Sequence, residues 1–336
     1  DAFIRDRLEK KEQIMLFINR RGYSSFVSCR SCGMAIQCPH CDVSLKYHRS
    51  GGGKLVCHYC GYEIPMIKTC PACGSPYIGS FGTGTQKVEE EISRLYPEAR
   101  ILRMDFDTTR EKNGHEKILN AFANNEADIL IGTQMIVKGH DFSNVTLVGI
   151  IAADMSLFAG DYQASERTFQ LLTQAAGRAG RGEKSGSVVI QTYSPDNYAI
   201  RLGAAQDYKG FYEFEMEYRK LLGYPPAMNM MEMLFTGTDE KKLKEAADDI
   251  SLLLDSEAEK GTHEFRKIGP ANAPIAKIND RYRIMIYVKT KEHETLKYIK
   301  DLAEKRMDAL ALENPCARLV EGSMHCKCTR KSPFSE

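Results

Sequence analysis

The stretch CRSCGMAIQCPHCDVSLKYHRSGGGKLVCHYCGYEIPMIKTCPACG, residues 29–74, contains eight of the 11 cysteines of the chain. They form four Cys-x-x-Cys pairs: Cys29/Cys32, Cys38/Cys41, Cys57/Cys60 and Cys70/Cys73. Three pairs are followed directly by Gly, which allows a tight turn beneath a chelated ion. The remaining pair, CPHC, has a Pro and no such Gly. Eight thiolates at this spacing predict two tetrahedral zinc sites.

Two other uses of the cysteines fit less well. A disulfide framework is disfavoured because the 336-residue chain shows no signal-peptide pattern and its pairs are clustered. A redox role would need one Cys-x-x-Cys motif rather than four. Cys316, Cys326 and Cys328 lie at the far end without a matching set, and we interpret them as incidental. This cysteine usage predicts a reducing cytoplasm.

The spacing also indicates which pairs share an ion. The two inner pairs give C-x2-C-x15-C-x2-C, a spacing typical of a zinc ribbon. The outer pairs would then hold the second ion, nested around the first. Sequential pairing remains the alternative, but it leaves only five residues between Cys32 and Cys38, so we favour nesting. His40, His48 and His58 are ligands by type, yet eight thiolates suffice without them.

Composition bounds the class of protein. The chain is 43% hydrophobic and 27% charged, as in a globular protein of two or three domains. Its longest apolar run, residues 145–153, is half a membrane span, so we expect no membrane association. The formal net charge is +1. Two thiolate-bound zinc ions would shift this to about −3, so any nucleic-acid contact must use a local basic patch or base stacking.

Short apolar runs alternate with helical stretches on both sides of the cysteines. Strands are predicted at 14–18, 77–81, 100–104, 128–131, 145–153 and 187–193, and helices at 1–13, 87–96, 115–124 and 165–176. This alternation indicates an α/β domain with a parallel sheet covered on both faces. Because the 14–18 run belongs to the series, residues 29–74 are an insertion in a domain formed by 1–28 and 75–198.

The pattern changes after residue 198. A helix at 207–222 is closed by Gly223 and Pro225-Pro226. Strands at 228–235 and 281–289 and helices at 240–254 and 292–310 follow, which predicts a smaller α+β domain over 199–317. Residues 318–336 are polar and irregular, so we interpret them as an atypical tail that could depart from native sequence.

Two motifs indicate chemistry beyond packing. IGTQMIVKGHDF, residues 131–142, follows a buried strand and opens a polar loop at the carboxyl edge of the sheet, where α/β domains bind ligands. QAAGRAGR, residues 174–181, places two arginines after a helix, each preceded by Gly. Arginine forks bind phosphate and stabilise a transferring phosphoryl group. The plain alternatives are a solvated loop and helix-end charges.

The second motif resembles the arginine-finger motif of superfamily-two helicases. Three further stretches occur with it in order: FINRRGYSSFVSCRSCG at 17–33, GTGTQKVEEEI at 82–92 and GTQMIVKGHDFSNVTLVGIIAAD at 132–154. Together they resemble the PriA (primosomal protein N′) family of bacterial replication-restart helicases, over about residues 1–310 of this sequence.

The resemblance implies a fold and an activity. The fold is a RecA-like second helicase lobe carrying a cysteine-rich two-zinc insert with nested pairs, plus a smaller C-terminal domain. The activity is ATP- and Mg-dependent unwinding of DNA from 3′ to 5′ at stalled forks. The implied partners are forked and single-stranded DNA, single-strand-binding protein, and primosome and helicase-loading proteins. A cytoplasmic, nucleoid-associated monomer is expected.

The resemblance also implies residue roles. Arg178 and Arg181 would be catalytic, contacting the nucleotide phosphates. Residues near the nucleotide would be Gly139, Asp141 and Gln174. Residues near DNA or the lobe interface would be Arg20, Arg21, Thr133 and Lys138. Zinc ligands would be Cys29, Cys32, Cys70 and Cys73 at one site and Cys38, Cys41, Cys57 and Cys60 at the other. Tyr224-Pro225-Pro226 and Arg281-Tyr282-Arg283 match the family's C-terminal domain.

The sequence contains no Gly-x-x-x-x-Gly-Lys-Ser/Thr and no DEAH-like acidic motif. Arginine fingers need a phosphate cradle and a metal supplied by such motifs. We therefore expect the C-terminal part of a helicase, which alone neither hydrolyses ATP nor unwinds DNA. The alternative is a zinc-ribbon nucleic-acid-binding module without a motor role. Strand separation, partner recruitment or folding alone remain open as the task of the insert.

Overall fold

The computed structural model describes residues 1–18, 26–48, 53–81, 84–105, 108–109, 113–137, 142–157, 161–182, 184–309 and 316–320. The chain divides into two compact units. The first consists of Asp1–Ser25 and Phe81–Glu215, and the second of Phe26–Ser80 and Met216–Glu336.

The strands, in chain order, are β1 Gln13–Ile18, β2 Phe26–Cys29, β3 Lys46–His48, β4 Lys54–Val56, β5 Glu63–Pro65, β6 Ile78–Phe81, β7 Ile101–Met104, β8 Ile129–Gly132, β9 Val145–Ile151, β10 Ser187–Ile190, β11 Asn229–Gly237, β12 Arg266–Ile278, β13 Arg281–Thr290 and β14 Cys316–Val320. The α-helices are α1 Ala2–Glu9, α2 Thr85–Leu95, α3 Gly114–Ala123, α4 Ala164–Ala176, α5 Tyr198–Ala204, α6 Tyr208–Leu222, α7 Glu240–Glu259 and α8 His293–Ala309. Two 3₁₀ turns cover Gln134–Val137 and Ala153–Ser156.

The first unit is built on a parallel sheet in the order β10-β9-β1-β8-β7. Every pairing in it is parallel, with Leu16 of β1 opposite Ile131 of β8 and Gly149 of β9. All six residues of β1 are buried, as expected for a central strand covered on both faces. One hydrophobic cluster contains Phe17, Phe122 and Leu172, and another contains Ile14 and Ile92. The predicted α/β class and parallel sheet are confirmed.

Helix α5 extends this unit beyond the last predicted strand. It packs on α4, where a Cβ on Gly203 would lie 3.1 Å from Cδ1 of Leu172. Phe169 of α4 stacks on Phe211 of α6 at 4.2 Å between ring centroids. The sequence reading begins the C-terminal domain at residue 199, whereas the chain up to Glu215 groups with the first unit.

The cysteine region forms its own sheet in the order β5-β4-β3-β2-β6. Strand β6 was predicted as part of the α/β series, and this placement is wrong because β6 lies beside β2 in the cysteine-region sheet. Val27, Leu45 and Leu55 form a small core with the buried cysteines. The insert therefore has a hydrophobic core of its own besides its metal-ligand clusters.

The C-terminal domain is a sheet in the order β12-β13-β11-β14, covered by α7 and α8. Met231, Ile250, Ile286 and Ile299 lie at the centre of its core. Strand β12 was not predicted from the sequence. The sequence predicts an irregular tail from residue 318, and this prediction is wrong for residues 318–320, which belong to β14 and pair antiparallel with β11. Residues 321–336 lie outside the described part of the chain.

Within the ranges given above, the helices are all too short or too polar to cross a lipid bilayer.

Candidate metal centres and the arginine segment

The eight cysteines gather into two groups of four. Cys29, Cys32, Cys70 and Cys73 form cluster 1, and Cys38, Cys41, Cys57 and Cys60 form cluster 2. In each cluster all four Sγ atoms lie within 4.8 Å of one another. The structure thus brings together the pairs that nesting predicts and separates those that sequential pairing would join.

The sulfur positions fit a tetrahedral zinc ion. Cys29 and Cys73 place their Sγ atoms 3.6 Å apart, as do Cys32 and Cys70, while Cys38 and Cys60 are separated by 3.5 Å. A zinc ion with Zn–S bonds of about 2.3 Å sets its ligands about 3.8 Å apart. Both clusters could therefore bind zinc with small adjustments. A zinc ion bound there would hold the loop ends of the insert together.

Three Cys-x-x-Cys pairs share one backbone geometry. Gly33, Gly61 and Gly74 follow these pairs with φ of +77°, +77° and +70°. Each glycine N–H donates to the carbonyl of the first cysteine of its pair, at 3.0, 3.0 and 2.9 Å. This left-handed conformation favours glycine, which explains the Gly that the sequence shows at these places.

Backbone N–H groups also point at the sulfur atoms. Ser31 N lies 3.4 Å from Sγ of Cys29, and His40 N lies 3.4 Å from Sγ of Cys38. Hydrogen bonds from the backbone of Cys32 and Ser31 lower the pKa of Cys29 to about 6. Burial raises the pKa of Cys38 to about 12, so metal binding at cluster 2 would have to displace protons.

The two clusters differ in their access to solvent. In cluster 1, Cys32 and Cys73 are exposed while their partners are buried. In cluster 2, three cysteines are buried and Cys60 is intermediate. The Sγ of Cys41 accepts the backbone N–H of Asn279, from the C-terminal domain, at 3.1 Å.

The candidate histidines stay outside both clusters. His40 places Nδ1 2.6 Å from Oδ2 of Asp280. His48 and His58 stack on each other with 4.9 Å between ring centroids and 2.7 Å between their Nε2 atoms.

The QAAGRAGR segment lies at the amino edge of the parallel sheet. Gly180 donates its N–H to the carbonyl of Val145, the first residue of β9, at 2.9 Å. A Cβ on Gly182 would lie 2.4 Å from the carbonyl oxygen of Ser143. Arg178 is half-buried, and Arg181 is exposed with its Nε donating to the Gly177 carbonyl at 2.7 Å. Gln174 is exposed on the last turn of α4.

Thr133 lies at the opposite, carboxyl edge, directly after β8, and is half-buried. The motif of residues 131–142 was predicted to be a loop at the carboxyl edge. Only its start lies there, because Phe142 and Ser143 come directly before the amino end of β9. The structure therefore brings Gly180 and the end of this motif together, and separates Thr133 from both. Arg20, Arg21, Lys138, Gly139 and Asp141 lie outside the described residues.

The C-terminal domain contains a cavity of about 450 Å³ between the end of α6 and β13. Lys289 lines it, almost fully buried, and its Nζ donates to the Leu222 carbonyl at 3.0 Å. The ammonium also lies 3.6 Å from the ring centroid of Tyr224. Burial lowers the pKa of Lys289. Two of the residues that match the family's C-terminal domain can thus be located. Tyr224 lies beside this cavity, in contact with Lys289, and Arg281 is the first residue of β13.

Residues of the β12–β13 turn contact cluster 2 and its flanking loop, and the sequence does not predict this contact. The available signal was Asn279-Asp280, two residues of turn-forming type before the alternating strand.

Three family models match separate segments of the chain. The cysteine-rich region domain of PriA DNA helicase matches residues 38–65, the helicase conserved C-terminal domain matches 80–183, and the C-terminal domain of primosomal protein N matches 220–315. The chain therefore contains a helicase C-terminal domain with an inserted cysteine-rich module.

Curated relatives name the family more closely. The chain is 49% identical to the replication restart protein PriA of Bacillus subtilis over 87% of its length, 47% to that of Synechocystis over 83%, and 39% to that of Chlamydia pneumoniae over 85%. This chain belongs to the PriA family. It spans 36%, 34% and 38% of those three relatives.

Proposed function

We propose that this chain is the second lobe, zinc insert and C-terminal domain of an ATP- and Mg-dependent helicase that unwinds DNA from 3′ to 5′. The observation that carries the proposal is the position of the arginine segment. Its Gly180 is hydrogen-bonded to the first residue of β9. This bond supports the proposal because it anchors the arginine segment at the amino end of β9, the strand that follows residues 139–141 in the sequence, and we infer that the two segments face one nucleotide.

In this proposal the two arginines, helped by Gln174, Gly139 and Asp141, stabilise charge on the phosphates of ATP bound mainly by another lobe. That lobe supplies the Walker motifs, which the present sequence does not contain. Thr133, Lys138, Arg20 and Arg21 serve DNA contact or coupling between lobes. The position of Thr133 at the opposite sheet edge supports a division between nucleotide-facing and DNA-facing loops.

The biological role follows from the names of the relatives, which are replication restart proteins. We propose action on stalled forks and single strands in the bacterial cytoplasm, in contact with single-strand-binding protein and the primosome. The zinc insert, with its own sheet, would serve strand separation or partner recruitment.

Arg181→Ala in the intact gene product tests the motor role. DNA-stimulated ATP turnover should fall by about 10³-fold or more, because an arginine finger contributes this much, while DNA binding changes little. Arg181→Lys should stay impaired because the fork geometry is lost. Arg94→Ala, an exposed arginine on α2, is the matched control. Lost DNA binding with ATP turnover retained would instead favour a zinc-ribbon binding module.

Metal analysis tests the zinc sites independently. We expect two zinc ions per chain in the wild type and one in Cys32→Ser or Cys57→Ser, because each change removes one ligand from one cluster. One zinc ion in the wild type would contradict the two-site proposal.

A further inference from the structure

The CPHC pair of cluster 2 has a different backbone environment from the other three. Asp42 occupies the place that glycine holds after the other pairs. Its N–H donates to the carbonyl of Lys277 at 2.9 Å, in the C-terminal domain. In the other three pairs the corresponding N–H remains within the pair. The turn beneath Cys38 and Cys41 is therefore completed from outside the cysteine region.

The partner segment is the tip of the β12–β13 hairpin, residues 277–281. Ile278 and Arg281 are its last paired residues, and Asn279 and Asp280 have φ of +51° and +57°. Two successive residues with positive φ form the tight hairpin turn whose twist matches that of the flanking strands. The turn directs the N–H of Asn279 toward Sγ of Cys41, at 3.1 Å.

Further hydrogen bonds join the hairpin tip to the CPHC segment. Asp280 donates its N–H to the carbonyl of His40 at 2.9 Å, and its Oδ2 lies 2.6 Å from Nδ1 of the same histidine. Lys277 Nζ donates to the carbonyl of Pro39 at 3.1 Å. Ile278 packs against the apolar core of the insert. Every residue from Pro39 to Asp42 thus bonds to the hairpin tip.

We propose that the β12–β13 hairpin tip is a working part of the second metal site, so that metal binding at cluster 2 and docking of the hairpin strengthen each other. A metal-bound thiolate is a charged acceptor, so the bond from Asn279 is stronger with metal than with a neutral thiol. Groups that orient metal ligands typically contribute 10- to 100-fold in metal affinity. By linkage, metal strengthens docking by the same factor. Cluster 1 has no such contact among the described residues.

This inference rests on the zinc binding proposed above. Zinc release to an excess of a coloured chelating indicator tests it in the Cys32→Ser background, where cluster 2 holds the remaining ion. The double change Lys277→Ala with Asp280→Gly removes the side-chain contacts and keeps a residue suited to positive φ. Release should be about 10- to 100-fold faster. Asn279→Gly, which keeps both the N–H and the turn, is the control and should release zinc at the parent rate.

Hydrogen exchange provides a second readout in the otherwise unchanged chain. Amides of residues 277–282 should exchange faster after zinc removal, whereas those of β11 should not change. Equal release rates in the double variant and its parent, or a hairpin equally protected with and without zinc, would overturn the inference. If the double variant loses protection in β11 and so is misfolded, Lys277→Ala alone replaces it, with faster release expected and an unchanged rate contradicting the coupling.

The two proposals can fail separately. Fewer than two zinc ions in the wild type would refute the zinc sites themselves. Two zinc ions together with unaltered release would refute only the role of the hairpin.

Discussion

The buried carboxylate of Asp154 accepts the backbone N–H of Ser194 at 3.2 Å. It also accepts the N–H of Tyr193 at 3.0 Å and the hydroxyl of Thr192. Asp154 follows β9, and residues 192–194 follow β10, so one side chain joins the carboxyl ends of two adjacent strands. It thereby positions the chain that leads into α5.

Asp154→Ala should therefore destabilise the protein strongly. Two backbone N–H groups and a hydroxyl would lose a charged acceptor in a buried place, which costs about 2–4 kcal/mol. Urea unfolding of the zinc-loaded chain measures the free energy of unfolding. Asp196→Asn, an exposed carboxylate before α5, is the control, and its effect should stay within about 0.5 kcal/mol. Similar values for both variants would contradict this account.

Gly132 tests whether the GTQ motif needs glycine at its first position for packing rather than for contact with a ligand. A Cβ there would lie 2.4 Å from Cγ2 of Ile136 and 2.7 Å from the carbonyl oxygen of Met104. We expect Gly132→Ala to reduce the free energy of unfolding by about 1–3 kcal/mol, because a fully packed site must shift. Gly79→Ala, where a Cβ meets nothing within 4 Å, should be nearly neutral in the same urea titration. A neutral Gly132→Ala would show that the space there adapts.

Asp128 should make part of the stability dependent on pH. Its hydrogen bonds with the Arg100 guanidinium lower the pKa of the Asp128 carboxyl. A lowered folded-state pKa adds stability that is complete above the unfolded value, about 3.9, and is lost as pH falls through the folded-state pKa. Asp128→Asn should cost a modest amount of stability at pH 6, and the difference from wild type should shrink toward pH 3.

The pH comparison is made by urea unfolding at several pH values. Glu98→Gln, an exposed carboxylate in the turn before β7, serves as the control. A difference between wild type and Asp128→Asn that stays constant from pH 6 to pH 3 would exclude the ion pair as its cause.

Thiol alkylation should distinguish the two clusters. Cys32 and Cys73 are exposed, whereas Cys38, Cys41 and Cys57 are buried. In the zinc-loaded protein, iodoacetamide should modify the exposed pair first, since reagent access limits the rate. Peptide mass spectrometry over time gives the order. Simultaneous modification of both clusters would indicate that they open in one step.

The sequence pattern predicted those elements whose burial is indicated by a local run of apolar residues or by a local motif. Strands β1, β8 and β9 are largely apolar, as expected for a parallel sheet covered on both faces, and the cysteine spacing indicated the nested clusters. Strand β6 looked alike but pairs in another sheet, since a strand's partner is not a local property. Strand β12 is interrupted by Gly269, Pro270 and Pro274, so its alternation was hidden.

The site could be predicted only where a motif carries its own chemistry. The motif with the paired arginines could be recognised from its residues alone. The sheet edge at which residues 131–142 end could not, because it depends on how the chain crosses from the end of β8 to the start of β9. The hairpin contact on Cys41 joins residues 238 positions apart, and neither segment alone indicates it.

The same separation has a consequence for synthesis on the ribosome. The three Cys-x-x-Cys pairs that are followed by glycine can form their turns as soon as their own few residues have emerged. The CPHC pair cannot form all of its contacts at that stage, because Asn279 is added 238 residues after Cys41. At translation rates of about 5–20 residues per second, the delay is on the order of tens of seconds. During that interval cluster 2 has four sulfur atoms but lacks the contacts of the hairpin tip, so a nascent chain can complete the second metal site only after Asn279 has been added.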